Sequence, residues 1–219
     1  MKTTIESIQV GLPTNLGAKD ASGSLEQVWY SGFRKLPVSG LVEVSETGLS
    51  GDGHADLKNH GGRDKAILCY PAEHYRAWEI ELDRERIENG FFAENLTISR
   101  GTEKEICVGD VFSIGEDVQM QVSQPRQPCW KLARFADHAS LPKMVVETGF
   151  CGWYMRVLRT GAIESGMPFE LVDRPHPEWS IRRAHRAVYA KKADENFADR
   201  MELAALPELS EFLKPELGG

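Results

Sequence analysis

The chain has 219 residues, with 26 Lys and Arg against 33 Asp and Glu, a formal net charge of −7. At about 100–200 residues per domain this is one domain, or one domain with a small appendage, and a hydrophobic fraction of 41% can supply its core. No apolar run approaches the roughly 18–20 residues of a membrane span, the N-terminus lacks a signal-peptide pattern, and the acidic balance argues against a nucleic-acid or anionic-membrane binder.

Most of the first 175 residues read as strand. Residues 1–26 are expected to form an N-terminal strand and loop that pack on a β domain of residues 27–175. Leu41-Val42-Glu43-Val44 and Ala66-Ile67-Leu68-Cys69-Tyr70 are short β-compatible runs between glycine-rich turns. Pro71 opens a helical pattern in which Tyr75, Trp78 and Leu82 make one apolar stripe. Further strands are expected at Val111–Ile114, at Val118-Gln119-Met120-Gln121-Val122-Ser123, where apolar and polar residues alternate, and at 169–172. A weaker helix is expected at 141–148. Many short strands with frequent turns predict a mainly β fold with some α, a barrel or a sandwich.

Arg174-Pro175-His176-Pro177 marks a linker. Beyond it, residues 176–219 read as three short helices. Ile181, Ala184 and Val188 form one stripe and Phe197, Met201 and Ala204 a second, while Ser210 is the expected N-cap of a third at Glu211-Phe212-Leu213. So small a core is expected to pack on the barrel or on a partner.

The four cysteines form no C-x-x-C pair, which excludes a zinc ribbon and a thioredoxin motif and disfavours an iron–sulfur cluster. A reducing cytoplasm with free thiols is the expectation. Cys69, Cys107 and Cys151 read as core residues. Cys129 differs. Pro125 and Pro128 stiffen its backbone, and Arg126 and Lys131 flank it with positive charge that favours a thiolate, the form that attacks electrophiles or binds soft metals.

The segment from Gly51 to Ala66 is polar and glycine-rich. Its glycines let the backbone approach an anion, with Lys58, His60, Arg63 and Lys65 supplying charge. The ordinary alternative is a solvated surface loop. Reading His54, Asp56 and His60 as a metal site finds no support in their spacing. Glu94-Asn95 stands at a loop-to-strand junction, where an Asn can read the edge of a heterocycle or simply form an Asx turn.

These segments, in this order, resemble the MOSC domain (molybdenum cofactor sulfurase C-terminal domain) and its YiiM-like branch. The resemblance rests on Gly48-Leu49-Ser50-Gly51-Asp52, on His60-Gly61-Gly62-Arg63-Asp64-Lys65-Ala66, on Tyr70-Pro71 with Glu73-His74-Tyr75, on Glu94-Asn95-Leu96, on Gly109-Asp110, and on Gln124-Pro125-Arg126 with Pro128-Cys129 and Lys131. It covers about residues 27–173, and the tail looks like the three-helix segment of that branch. His54 stands where the branch usually has Gln, and Arg63 where Pro is common.

The resemblance implies a closed β-barrel with inserted helices and a molybdenum cofactor, molybdopterin-bound molybdenum, with Cys129 as the metal's protein ligand. It implies an oxidoreductase that removes oxygen, as water, from small N-hydroxylated compounds such as N-hydroxylated purine bases or amidoximes. Arg126, Lys131, His60, Gly61, Gly62, Arg63, Lys65 and Asn95 are the expected cofactor-binding residues, and Asp64 or Glu94 the expected proton-handling group. No flavin or iron–sulfur motif is evident, so a separate reductase of either kind is expected to supply electrons. A homodimer is a further expectation. The alternative is a sulfur carrier with a Cys129 persulfide, suggested by MOSC domains fused to pyridoxal-phosphate sulfurases.

Overall fold

The computed structural model describes residues 3–194 and 197–218. In chain order the strands and helices are β1 (Thr4–Val10), β2 (Thr14–Leu16), β3 (Trp29–Ser31), β4 (Leu36–Val38), β5 (Val42–Ser45), β6 (Gly48–Leu49), β7 (Ile67–Pro71), α1 (Tyr75–Glu81), β8 (Leu96–Ser99), β9 (Val111–Ile114) and β10 (Val118–Pro125). Then follow α2 (Trp130–Ala136), α3 (Leu141–Thr148), β11 (Trp153–Arg159), β12 (Gly161–Ile163), β13 (Phe169–Asp173), α4 (Ile181–Tyr189) and α5 (Asp199–Ala204).

Eight strands make one strongly curled sheet in the order β13-β9-β10-β11-β7-β8-β1-β4; β12-β5-β6 and β2-β3 form two smaller ones. Its one parallel pair is β7 with β8. Parallel neighbours need a crossover, and α1 lies in that connection, which is why a helix interrupts the strands there. Buried Tyr75 and Trp78 carry its inward stripe.

The expected closed barrel is corrected: the sheet is an open half-barrel. Strands β13 and β4 are its ends, and between β1 and the approach to β13 there is a single bridge, Thr4 to Pro168. Hydrogen bonds flank that bridge, from the Ile5 N–H to the Met167 carbonyl, from the Phe169 N–H to the Thr3 carbonyl and from the Gly166 N–H to the Ile5 carbonyl, but the pairing goes no further, and the last residues of β1 are already paired with β4. Pro37 sits in β4, an edge, where a missing donor is tolerated.

The tail packs against the sheet, as expected. Trp179, Ile181, Ala184, Leu203, Leu209, Leu213 and Leu217 are all buried. Its internal layout differs from the expectation. Phe197 precedes α5 and is partly exposed, Met201 is exposed, and Leu203 supplies the buried contact instead. No α-helix starts at Glu211: the Ser210 hydroxyl accepts from the Phe212 N–H in a turn, and a single 3-10 turn follows at Lys214–Leu217.

The strand that leads to Cys129 shows why the tail matters. Residues Val118, Met120 and Val122 of β10 face the core in alternation, but Ser123, Gln124 and Pro125 are all buried. The register with β11 shifts between Val122 and Gln124, a bulge that redirects the strand end. On the other side the Ser210 N–H reaches the Ser123 carbonyl at 3.0 Å. Cys69, Cys107 and Cys151 are buried free thiols, in line with their reading as core residues.

Candidate functional site

A cavity opens at one end of the half-barrel. Ser31 at the end of β3 with Gly32, Phe33 and Lys35 after it, Gly53-His54-Ala55 and His60, Leu68 of β7, Phe92-Ala93 and Asn95 before β8, Arg126-Gln127 with Cys129 and Lys131, and Tyr154 of β11 line it. The wall carries the cations Lys35, Arg126 and Lys131, two imidazoles and one thiol. It contains no carboxylate among the described residues, although the chain is acidic.

Cys129 ends the stiff segment after β10 and is the residue from which α2 departs; its carbonyl accepts from the Leu132 N–H at 3.1 Å. It is the only one of the four thiols that is not buried. Arg126 is 3% exposed. Its Nη2 donates to the Phe92 carbonyl at 3.3 Å, while Nη1 is buried with no partner. A buried guanidinium N–H without an acceptor is costly unless something anionic fills the space in front of it. Lys131 is also buried and lines the same wall.

The imidazoles are uncharged at neutral pH. Burial, with Lys131 nearby, pushes His60 down to about 4, against the opposing pull of Asp56. Its Nδ1 stands 3.6 Å from the Asp56 carboxylate, beyond hydrogen-bond reach, and is buried without a partner. His54 is lowered by burial and then by Lys35. Burial likewise pushes Tyr154 up to about 12, so its phenol stays protonated. The His60 ring is therefore expected to titrate near pH 4 by NMR. Since its folded value lies below the ordinary 6.5, its contribution to stability is complete above pH 6.5 and is lost as pH falls towards 4. A midpoint near 6.5 would contradict the burial described here.

Five of the expected site residues meet at the cavity: Cys129, Arg126, Lys131, His60 and Asn95. The amide of Asn95 is already engaged. Its Oδ1 accepts from the Leu68 N–H at 3.0 Å and its Nδ2 donates to Asp52 at 2.8 Å. Asp52 also pairs with Lys35. Asn95 and Asp52 thus fix the wall and orient Lys35, rather than reading a ligand edge.

The other expected residues stand elsewhere. Gly61, at φ +87°, lies behind His54, where a Cβ would come 3.1 Å from the ring; it permits packing rather than cradling an anion. Gly62 precedes the 3-10 turn Arg63–Lys65. Arg63 is exposed and pairs with Glu46 at 3.3 Å. Lys65 is buried behind the loop, donates to the Asn59 carbonyl at 2.9 Å, and is pushed down to about 8 by burial.

Asp64 pairs with Arg156 at 2.9 Å and accepts from the Glu211 N–H at 3.0 Å, outside the cavity wall. Glu94 is fully buried and accepts from Gly90 N–H at 2.6 Å, Thr97 Oγ1 at 3.0 Å, Phe92 N–H at 3.1 Å and the Tyr75 hydroxyl. Its lone pairs are filled, so it organises the segment before β8 and has no free position for a proton relay. Glu94→Gln places an NH2 against those donors. It is expected to cost on the order of 3 kcal/mol in urea denaturation, and a loss below about 0.5 kcal/mol would remove the structural role.

Lys35 and Tyr154 belong to the site but carried no motif. Lys35 stands in an ordinary stretch, Phe33-Arg34-Lys35-Leu36, and Tyr154 in a strand; only the fold brings them to the cavity. A net-acidic chain whose one cavity thiol lies among cations is suited to a soft metal bound within an anionic group.

The family model for the MOSC domain matches residues 56–170. The uncharacterized protein YflK of Bacillus subtilis is 45% identical over 159 residues, which cover 73% of this chain and 71% of that protein. A protein of Gibberella moniliformis named Reductase is 37% identical over 194 residues, 87% of this chain; the match spans only 34% of that relative's length. The crystal structure of YiiM from Geobacillus stearothermophilus superposes with a TM-score of 0.80 at 33% identity, covering 99% of this chain and 97% of that one.

Proposed function

The chain belongs to the MOSC domain family, in its YiiM-like branch, and from that membership we propose that it is a molybdenum-cofactor-dependent reductase of small N-hydroxylated compounds. The observation that carries the reading is the cavity wall: one accessible thiol, the cations Arg126 and Lys131 beside it, an Arg126 Nη1 without a partner, and no carboxylate among the described lining residues, the third cation, Lys35, being paired with Asp52. Its donor set fits an anionic, soft-metal cofactor. The relative named Reductase supports the reaction class.

In this reading the Cys129 thiolate holds the metal, and Arg126 and Lys131 hold the cofactor's anionic groups. When bound, the cofactor supplies a two-electron reduction that breaks an N–O bond and releases the oxygen as water. Lys35, whose ammonium burial pushes down against the pull of Asp52, is closed into an ion pair with that carboxylate and shapes the wall without adding net charge. Neutral His54 and His60 accept hydrogen bonds from a substrate N–H or O–H. Phe33, Leu68 and Phe92 give the cavity an apolar side that limits water. A separate reductase delivers the electrons.

The test is an anaerobic assay of protein made in a cofactor-competent host, with reduced viologen as electron source and an amidoxime as acceptor. Amidine formation coupled to viologen oxidation is expected. A protein that carries the cofactor but leaves the amidoxime and an N-hydroxylated purine unchanged would contradict the proposal.

A further inference from the structure

The end of the chain sits behind both loops that build the cavity. Phe212 lies against Lys65, whose Nζ is 3.2 Å from the ring centroid. The same ammonium donates to the carbonyl of Asn59, the residue before His60. The Glu211 N–H is bonded to Asp64 in the same loop. On the other side, Gln127 Nε2 donates to Glu216 Oε2 at 2.8 Å. Gln127 is part of the cavity wall, two residues before Cys129. Glu216 is in turn fixed through its carbonyl, which accepts from Arg200 of α5 at 2.5 Å. Phe212 is 39% exposed and Glu216 is exposed, so neither contact is explained by core burial.

We propose that segment 210–217 is a positioning element of the cavity, holding the His60 loop through Phe212 and Lys65 and the Cys129 loop through Glu216 and Gln127. The proposal rests on the reading above only for what the two loops hold. Residues 59–62, with two glycines, have much backbone freedom, and fixing each residue costs about 1–2 kcal/mol. A clamp that fixes them beforehand removes part of that cost from ligand binding.

The test uses the full chain without ligand. The amides of His60 and Lys65, bonded to the Asp56 and Gly62 carbonyls at 2.9 and 3.1 Å, are the reporters. Phe212→Ala is expected to speed their hydrogen exchange about tenfold while exchange in β10 and β11 stays unchanged. Phe212→Trp, which restores an aromatic face, is expected to return the wild-type rates. Glu216→Ala is expected to speed iodoacetamide alkylation of Cys129, which Phe212→Trp leaves at the wild-type rate. Unchanged exchange in Phe212→Ala, failure of Trp to restore it, or an equal rise throughout the chain would overturn the clamp. Molybdenum content of the same variants, made in a cofactor-competent host, should fall with Ala and recover with Trp. A wild-type chain without molybdenum would contradict the proposed function alone, because exchange still decides the clamp.

Discussion

Cys129→Ser is expected to abolish reduction of N-hydroxylated substrates and to leave the melting temperature almost unchanged. The side chain is half-buried, and its replacement is nearly isosteric. What changes is chemistry: a soft thiolate becomes a hard, poorly ionised hydroxyl. Cys69→Ser provides the contrast. Cys69 is fully buried, its Sγ lies 3.4 Å from Met155 Sδ, and burial pushes its thiol far up. A hydroxyl there costs about 1–3 kcal/mol of stability, with activity falling only as folded protein is lost. Full activity in Cys129→Ser would remove the metal-ligand role.

Arg126→Ala is expected to lower cofactor retention about ten- to hundredfold. A charge-assisted hydrogen bond contributes roughly 1.5–3 kcal/mol, and each 1.4 kcal/mol is tenfold. The unpartnered Nη1 is the reason to place the largest loss here. Arg126→Lys should recover only part, because Lys keeps the charge but not the planar fork. Arg63→Ala is the control. That side chain is exposed and ion-paired with Glu46, an interaction worth ~0–1 kcal/mol, so cofactor content should not move. Equal losses in Arg63→Ala and Arg126→Ala would show a non-specific charge effect.

The legible parts of the fold were those with a local signature. Alternation in Val118–Val122 predicted β10, and the Tyr75–Trp78 spacing predicted α1. The α2 helix was not legible because Pro125 and Pro128 dominate the segment before it, while its buried stripe of Leu132, Ala133 and Ala136 is short. Whether the barrel closes depends on long-range pairing between the two ends of the sheet, and no single stretch of sequence reports it. At the site, Cys129, Arg126 and Lys131 were legible as one cluster. Asp64, Glu94, Arg63 and Lys65 carry the right chemistry in the right motifs, yet their side chains turn to Arg156, to backbone donors, to Glu46 and to Phe212. A motif fixes proximity along the chain; the direction of each side chain is set by the partners that the fold brings to it.

Metal and sulfur analysis of the wild-type chain, purified from a cofactor-competent host, bears most directly on the central claim. The account predicts near-stoichiometric molybdenum that is lost in Cys129→Ser. Sulfane sulfur on Cys129 with no molybdenum would contradict it and make the chain a sulfur carrier.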